Sequence, residues 1–352
     1  MTGLFLNPTN ALQLIVTGLD GHIRIWDFLD AKILRDIDMG NPVILAAMSD
    51  APALQDQLFV AVKSAEQDPV PSSTASGKAK KESNSAPSGS IIYQVALRRT
   101  DNKRIRIGKC RAPQSMAISA DGSYLILLSK RKVYISMLSQ DLKNPTAAIA
   151  GKDSFISFEG FPERFQERFT TLACHPTESY FATGDTKGSI CLWYVLDPTL
   201  LNSLSTGATH INGDFMRKHT SAMHWHAHGV ASLAFTPNGA YLLSGGEEAV
   251  LVVWQLSSRH KEYVPRLGAP IQSVGVVQNQ GREQEFVCRL NDGSTVFVGA
   301  ATLKVVRSIA GVKSSEYKQR FTLLPQLLNH SYVVQYRHRR LRSANPASPP
   351  TH

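Results

Sequence analysis

The distance from a turn proline to a later tryptophan is the feature of this sequence that most constrains its fold. Three such pairs are separated by 18, 17 and 17 residues: Pro8 and Trp26, Pro176 and Trp193, Pro237 and Trp254. In a fourth stretch, Ala120 takes the proline position and Met137 follows 17 residues later. Agreement to within one residue indicates a repeated structural unit.

The repeated unit contains short apolar runs separated by polar turns, which is the pattern of antiparallel strands. The same order of elements recurs in four segments: a short strand, a turn rich in Pro, Asn, Asp or Gly, a second strand, a tight turn and a third strand. The four segments are 4–28, 116–138, 172–196 and 233–256. Weaker copies occupy 43–97 and 271–300. A unit of roughly 40 residues whose strands often end in Trp is typical of the WD-repeat β-propeller blade.

The sequence therefore predicts an all-β WD-repeat β-propeller over residues 1–312, with six recognisable blades of a seven-bladed ring. Whether the ring closes stays open. The predicted blades are 1–40, 41–108, 109–150, 151–221, 222–266 and 267–312. Residues 64–89 are rich in Ser, Pro and Lys and predict a disordered insertion. Residues 313–352 predict an irregular tail that is basic and proline-rich.

Composition narrows the class of partner. The chain carries 38 basic and 28 acidic residues, a net charge of +10, which favours acidic partners and nucleic acid first. Its four scattered cysteines indicate a reducing compartment. The N-terminus resembles no signal peptide, and no apolar run approaches the length of a membrane helix. We expect a soluble intracellular protein.

The stretch "HWHAHGV" at 224–230 allows two interpretations. His226 lies four residues before Val230, the position of the histidine that helps to lock a WD-repeat blade, with Ser244 and Glu248 as its partners and Trp254 closing the blade. A structural histidine is the favoured interpretation. The alternative is a zinc site formed by three alternating imidazoles, His224, His226 and His228.

Other blades carry parts of the same pattern. Asp20 lies six residues before Trp26, whereas Lys187 holds that position before Trp193, so the hydrogen-bonded line of that blade must be broken or replaced. We interpret Asp20 and the tryptophans as structural residues. The sequence contains no P-loop, no G-x-S-x-G and no H-E-x-x-H motif. It predicts neither an enzyme nor a cofactor, a metal or a small-molecule substrate.

Two basic runs are the candidate contacts for RNA or another acidic partner. Residues 98–111 hold seven basic residues and one acid, and 130–132 add three more. Lys and Arg supply affinity for phosphate without reading sequence. An ordinary charged surface is the alternative. The predicted contact residues are Arg98, Arg99, Lys103, Arg104, Arg106, Lys109, Arg111, Lys130, Arg131 and Lys132.

Several stretches go beyond a generic WD repeat and resemble the N-terminal propeller of the WD repeat-containing protein 75 family. They are "LNPTNALQLIVTGLDGHIRIWDF" (6–28), "LACHPTES" (172–179), "MHWH" (223–226), "LLSGGEEAVLVVWQ" (242–255) and "EYVPRLGAPI" (262–271). The resemblance covers about residues 1–312. It also predicts that longer sequence precedes and follows this part in family members, so that the chain is truncated relative to them.

The resemblance implies a nucleolar, non-catalytic scaffold subunit of the small-subunit processome, which contacts pre-ribosomal RNA, small nucleolar RNA assemblies and other processome subunits. It also implies support of RNA polymerase I transcription and no membrane partner. The alternative is a generic WD-repeat adaptor for protein partners, without an RNA role, because a propeller fold alone does not fix function.

Overall fold

The computed structural model describes residues 1–64, 89–98, 104–138, 155–159, 168–206, 211, 213–264, 266–277 and 283–311. These residues form six four-stranded sheets, and every strand pair within them is antiparallel. In each sheet the strands follow one another in chain order. The prediction of an all-β propeller with six recognisable blades is confirmed.

The first three sheets span residues 3–159. The strands of the first are β1 Gly3–Asn7, β2 Asn10–Thr17, β3 His22–Asp27 and β4 Lys32–Asp38. The second contains β5 Val43–Met48, β6 Gln57–Lys63, β7 Gly89–Ala96 and β8 Arg104–Arg111, with a 3-10 turn at Pro52–Leu54. The third contains β9 Pro113–Ile118, β10 Tyr124–Ser129, β11 Lys132–Met137 and β12 Ile156–Glu159.

The last three sheets span residues 169–309. The fourth contains β13 Phe169–Cys174, β14 Phe181–Asp185, β15 Ser189–Trp193 and β16 Thr220–His224. The fifth contains β17 Val230–Phe235, β18 Tyr241–Gly246, β19 Leu251–Gln255 and β20 Lys261–Val264. The sixth contains β21 Ile271–Val277, β22 Glu285–Leu290, β23 Thr295–Gly299 and β24 Val305–Ile309.

The hydrophobic core lies between consecutive sheets, because both faces of an inner strand carry apolar residues. Trp193 shows how tightly these layers pack: its indole stacks on Phe181 of the same sheet, with ring centroids 5.7 Å apart, and meets Phe158 of the third sheet edge-on at 6.4 Å. Separate buried clusters join the first sheet to the second and so on through the sixth. The first strands of consecutive sheets, β1, β5, β9, β13, β17 and β21, also pack in that order.

Two helices interrupt the fourth sheet between its third and fourth strands, and the repeat pattern did not predict them. They are α1 Pro198–Ser205 and α2 Gly213–His219. Asp197 caps α1 by accepting the Leu200 N–H at 2.9 Å, and Pro198 occupies the first turn, where its missing N–H costs nothing. Leu201 is fully buried against the core between the third and fourth sheets.

The sheets end at positions that differ from the predicted blade boundaries. A boundary at 150 would have assigned β12 to the fourth blade, yet β12 pairs with β11 of the third, for example Val133 with Phe158. The repeat segments contain three strands each, so the repeat pattern does not fix the position of the fourth strand. The predicted insertion lies almost wholly outside the described residues, as does the tail at 313–352. No helix in the described part of the chain is long and apolar enough to cross a membrane.

Candidate functional site

The loops of the propeller form two faces with different connections. In each sheet the turn between the second and third strands lies at the same end as the crossing to the next sheet, and we call this end the crossing face. Backbone bonds join the two kinds of loop there: the Met39 N–H donates to Gly21 O at 2.9 Å, and the Asn291 N–H donates to Pro270 O at 2.8 Å. The opposite end holds the other two turns of each sheet, and we call it the hairpin face.

On the crossing face of the fifth sheet, four side chains form one hydrogen-bonded line. The Trp254 indole N–H donates to Ser244 Oγ at 2.8 Å, and Ser244 Oγ lies 2.8 Å from His226 Nε2. His226 Nδ1 lies 3.1 Å from Glu248 Oε2. Because the indole can only donate, the serine hydroxyl is free to donate to Nε2, and Nδ1–H then donates to the carboxylate. The line therefore suits a neutral imidazole.

Electrostatics favour that neutral form. His226 is fully buried, and burial lowers its pKa below the usual value, against the opposing effect of Glu248. Burial alone would raise the pKa of Glu248, but bonds from the His228 N–H and the His226 ring outweigh it, and the pKa lies below its usual value. The arrangement holds a crossing loop on a sheet and presents no reactive group.

The three histidines of "HWHAHGV" have separate partners. Both ring nitrogens of His226 lie within hydrogen-bond distance of protein groups, so a metal would have to displace one of them. His224 Nε2 lies 3.3 Å from Lys187 O, and His228 Nδ1 lies 3.4 Å from Glu248 Oε1. Among the described residues, no group of three or more His, Cys, Asp or Glu side chains has the geometry of a metal site. The geometry favours the structural interpretation.

The fourth sheet has a shortened form of the line. The Trp193 indole N–H donates to Thr183 Oγ1 at 2.8 Å, as Trp254 does to Ser244. The buried Asp185 carboxylate accepts the N–H groups of Lys187 and Ser189, both at 2.9 Å. A carboxylate from the preceding strand thus secures the turn whose usual acid is replaced by lysine.

The first sheet has a different arrangement again. Val16 lies ten residues before Trp26, the position of the serine and threonine hydroxyls in the other two sheets, and it offers no acceptor to the indole. Asp20 instead accepts the Arg24 guanidinium at 2.6 Å, and this bond holds its pKa below the usual value. The residue types predicted as structural are present, but no line of the His226 type joins them.

The structure separates the predicted basic contacts along the height of the second sheet. Arg98 lies on the hairpin face, two residues after the end of β7, whereas Arg111 ends β8 on the crossing face. Arg106 and Lys109 lie between them on β8, the outermost strand, with exposed side chains. Arg104 donates to Met39 O at 3.1 Å and lies 5.3 Å from the Tyr93 ring, so it contributes to the junction of the first two sheets.

The second basic run lies beside Arg111. Ser129 Oγ donates to Arg111 O at 2.5 Å, and Lys130 and Arg131 form the turn that follows Ser129. Lys132 begins β11 at the same end and is half-buried. Two predicted contacts, Arg99 and Lys103, lie outside the described residues.

On the second, third and fourth sheets, the crossing face carries three further exposed basic residues that the sequence runs did not reveal. They are Lys63 at the end of β6, Arg168 before β13 and Lys187 after β14. Each is isolated in sequence, so no basic run marks it. The position of these residues in the repeat could have indicated their common location. Each lies in or beside a crossing or a turn between second and third strands, and these loops all lie on the crossing face.

Six such sheets in chain order, with a Trp–Ser–His–Glu line in the fifth, define a WD-repeat β-propeller. A family profile described as the WD repeat-containing protein 75 first beta-propeller matches residues 1–288. The chain therefore belongs to the WD repeat-containing protein 75 first-propeller family.

Relatives agree with this assignment. The chain is similar to WD repeat-containing protein 75 of Homo sapiens, with 30% identity over 289 residues, which are 78% of this chain and 29% of the human protein. It is 29% identical to the Xenopus laevis protein of that name over 319 residues, 89% of this chain and 32% of the relative. It is 25% identical to U3 small nucleolar RNA-associated protein 17 of Schizosaccharomyces pombe over 324 residues, 90% of this chain and 34% of that protein. The chain thus spans about a third of the length of these relatives.

Proposed function

We propose that this chain is a non-catalytic scaffold of ribosome biogenesis that works in the nucleolus as part of the small-subunit processome. The observation that carries the proposal is family membership across residues 1–288, together with a relative whose name associates it with U3 small nucleolar RNA. Such a scaffold contacts pre-ribosomal RNA, small nucleolar RNA assemblies and neighbouring protein subunits, and thereby supports pre-rRNA processing and RNA polymerase I transcription.

The geometry of the propeller supports a scaffold role. The polar line of the fifth sheet is buried and satisfied by protein groups, which serves rigidity. The exposed basic residues stand on this rigid frame, where they can hold phosphates at fixed positions. Contacts of cations with the phosphate backbone carry no sequence information. In this proposal, sequence specificity therefore comes from base pairing among the RNAs.

A pull-down of the tagged full chain from nuclear extract tests the proposal. After crosslinking, the bound RNA is sequenced and the bound proteins are identified. We expect enrichment of the 5′ external transcribed spacer of pre-ribosomal RNA and of U3 small nucleolar RNA, together with processome proteins. Enrichment of proteins alone, with neither RNA above background, would favour the generic adaptor and contradict the RNA role.

A variant sharpens that experiment. All ten predicted contacts are changed to glutamine, which removes charge while keeping a polar side chain of similar reach: Arg98, Arg99, Lys103, Arg104, Arg106, Lys109, Arg111, Lys130, Arg131 and Lys132. We expect loss of crosslinked RNA with protein partners retained. Unchanged RNA recovery from a folded variant would show that these residues make no RNA contact.

A further inference from the structure

The crossing face of the second, third and fourth sheets gathers basic residues that are far apart in sequence. All six have exposed side chains, and we call the set the basic crescent: Lys63, Arg111, Lys130, Arg131, Arg168 and Lys187. Only half of them belong to the basic runs at 98–111 and 130–132. We propose that the basic crescent is the surface on which this propeller holds the phosphate backbone of RNA, an inference that rests on the proposed function.

Backbone contacts fix the first part of the crescent. The Ser64 N–H, next to Lys63, donates to Gly89 O at 2.8 Å, and Gly89 pairs with Arg111 across β7 and β8. Arg111 O in turn accepts the Ser129 hydroxyl, directly before Lys130. Three cations from two sheets are therefore held side by side.

The same kind of contact continues to the fourth sheet. The Phe169 N–H donates to Lys130 O at 2.8 Å, which brings the preceding residue, Arg168, next to the turn of the third sheet. The Thr186 N–H donates to Arg168 O at 3.0 Å, directly before Lys187. The crescent is thus a continuous row of cations, and these six residues are held on a hydrogen-bonded backbone.

Charge is distributed unevenly over the crossing face. Beside the crescent, the described turns and crossings of these three sheets contain two carboxylates: buried Asp185, which is bonded to backbone N–H groups, and Glu159 at the end of β12. The corresponding loops of the other three sheets carry four exposed acids and one exposed arginine, Arg266; the acids are Asp20, Asp38, Glu247 and Asp292. An extended anion is attracted to one half of the face and repelled from the other.

The chemistry of the crescent favours RNA over a folded protein. Interfaces between proteins are centred on buried apolar or aromatic anchors. Large exposed apolar side chains occur elsewhere among the described residues, for example Leu19, Val306 and Tyr263, but none lies in the described crescent loops of the second, third and fourth sheets. Cations without an apolar centre match a phosphate backbone, whose binding energy comes largely from charge and counterion release.

Two charge-matched variants of the full chain test this assignment. The crescent variant changes three lysines and three arginines to glutamine: Lys63, Lys130, Lys187, Arg111, Arg131 and Arg168. The control variant removes the same number of charges, four lysines and two arginines in or directly beside the third-to-fourth strand connections of the hairpin face: Lys32, Lys218, Lys261, Lys304, Arg217 and Arg259. Circular dichroism and thermal melting establish that both are folded.

Binding of a labelled single-stranded RNA of about 20 nucleotides, long enough to follow an extended groove, is measured over a range of salt concentrations. We expect the crescent variant to lose on the order of 100-fold in affinity and the control to lose much less. Each phosphate contact to a single strand contributes about −0.7 to the slope of log K against log salt. Loss of six contacts should therefore make the slope of the crescent variant shallower than that of the wild-type chain by about 4.

The outcomes separate the two proposals. If the wild-type chain binds RNA and the two variants weaken it equally, or the control weakens it more, the crescent assignment is wrong while an RNA role stands. If the wild-type chain binds no RNA, the proposed RNA role fails as well. If polyglutamate binds the crescent and RNA does not, an acidic protein is the partner and the assignment to RNA is overturned.

Discussion

Changing Ser244 to alanine tests the polar line of the fifth sheet. Ser244 Oγ contacts both the Trp254 indole and His226 Nε2, at 2.8 Å each, and all three side chains are buried. Removing the hydroxyl leaves a donor and an acceptor without partners. Each such group costs about 1–3 kcal/mol, so for the two groups together we expect the free energy of unfolding to fall by about 2–6 kcal/mol.

The assay is urea unfolding followed by far-UV circular dichroism, with an unchanged m-value as the condition for comparing midpoints. Repeating the change in a Trp254→Phe background removes the indole donor beforehand. The cost of Ser244→Ala should then fall by about 1–3 kcal/mol, because only the histidine loses its partner. Ser258→Ala, at an exposed position, is the control and should lie within about 0.5 kcal/mol of wild type. Equal costs in both backgrounds would refute the line.

Three further predictions concern the stability and packing of the propeller. Because burial lowers the pKa of His226 in the folded chain, stability should fall as pH drops below its ordinary value of 6.5; urea midpoints at several pH values measure this, and a His226→Gln variant should show a flatter profile. Gly188→Ala should destabilise far more than Gly40→Ala in thermal melts: both have positive φ, but a Cβ at Gly188 would lie 2.1 Å from His226 O, whereas the space at Gly40 is open. Burial raises the pKa of the three buried thiols, Cys110, Cys191 and Cys288, to about 12, so a thiol reagent should modify them only after denaturant is added; fast reaction of any of the three in the native chain would contradict their packing.

The inner strands of the propeller were predictable because they are buried on both sides and bounded by strong turn residues. The outer strands were not, because one edge faces solvent and their sequences lose the apolar pattern. In β24 all five residues but Arg307 are exposed, and β12 is only four residues long. Strand pairing, rather than local pattern, assigns such segments to a sheet.

The helical insertion was missed although its start carried a signal. Asp197 followed by Pro198 is a typical beginning of a helix. The segment lies inside the predicted fourth blade, 151–221, where the repeat pattern predicts strands and turns and no helix. Its buried side chain, Leu201, fills the core between two sheets, a contact that only the fold reveals.

The sequence predicts the polar line of the fifth sheet and the presence of basic contact residues, but not where on the propeller those basic residues lie. His226 and its partners follow from repeat spacing, since the blade geometry is the same in each copy. The basic residues do not, because neighbours in sequence lie far apart along a strand: the eight residues of β8 extend roughly 25 Å, from near the hairpin face to Arg111 on the crossing face. Conversely, Lys63 and Arg168 are neighbours of the basic runs only through loop contacts.

The most direct test of the account maps the contacts themselves. The tagged chain is crosslinked to RNA in cells by ultraviolet light, and the peptides that carry RNA are identified by mass spectrometry while the RNA is sequenced. The account predicts pre-ribosomal and U3 small nucleolar RNA attached to peptides of the crossing face, around Lys63, Arg111, Lys130, Arg168 and Lys187. Crosslinks confined to the hairpin face, or the absence of both RNAs, would contradict it.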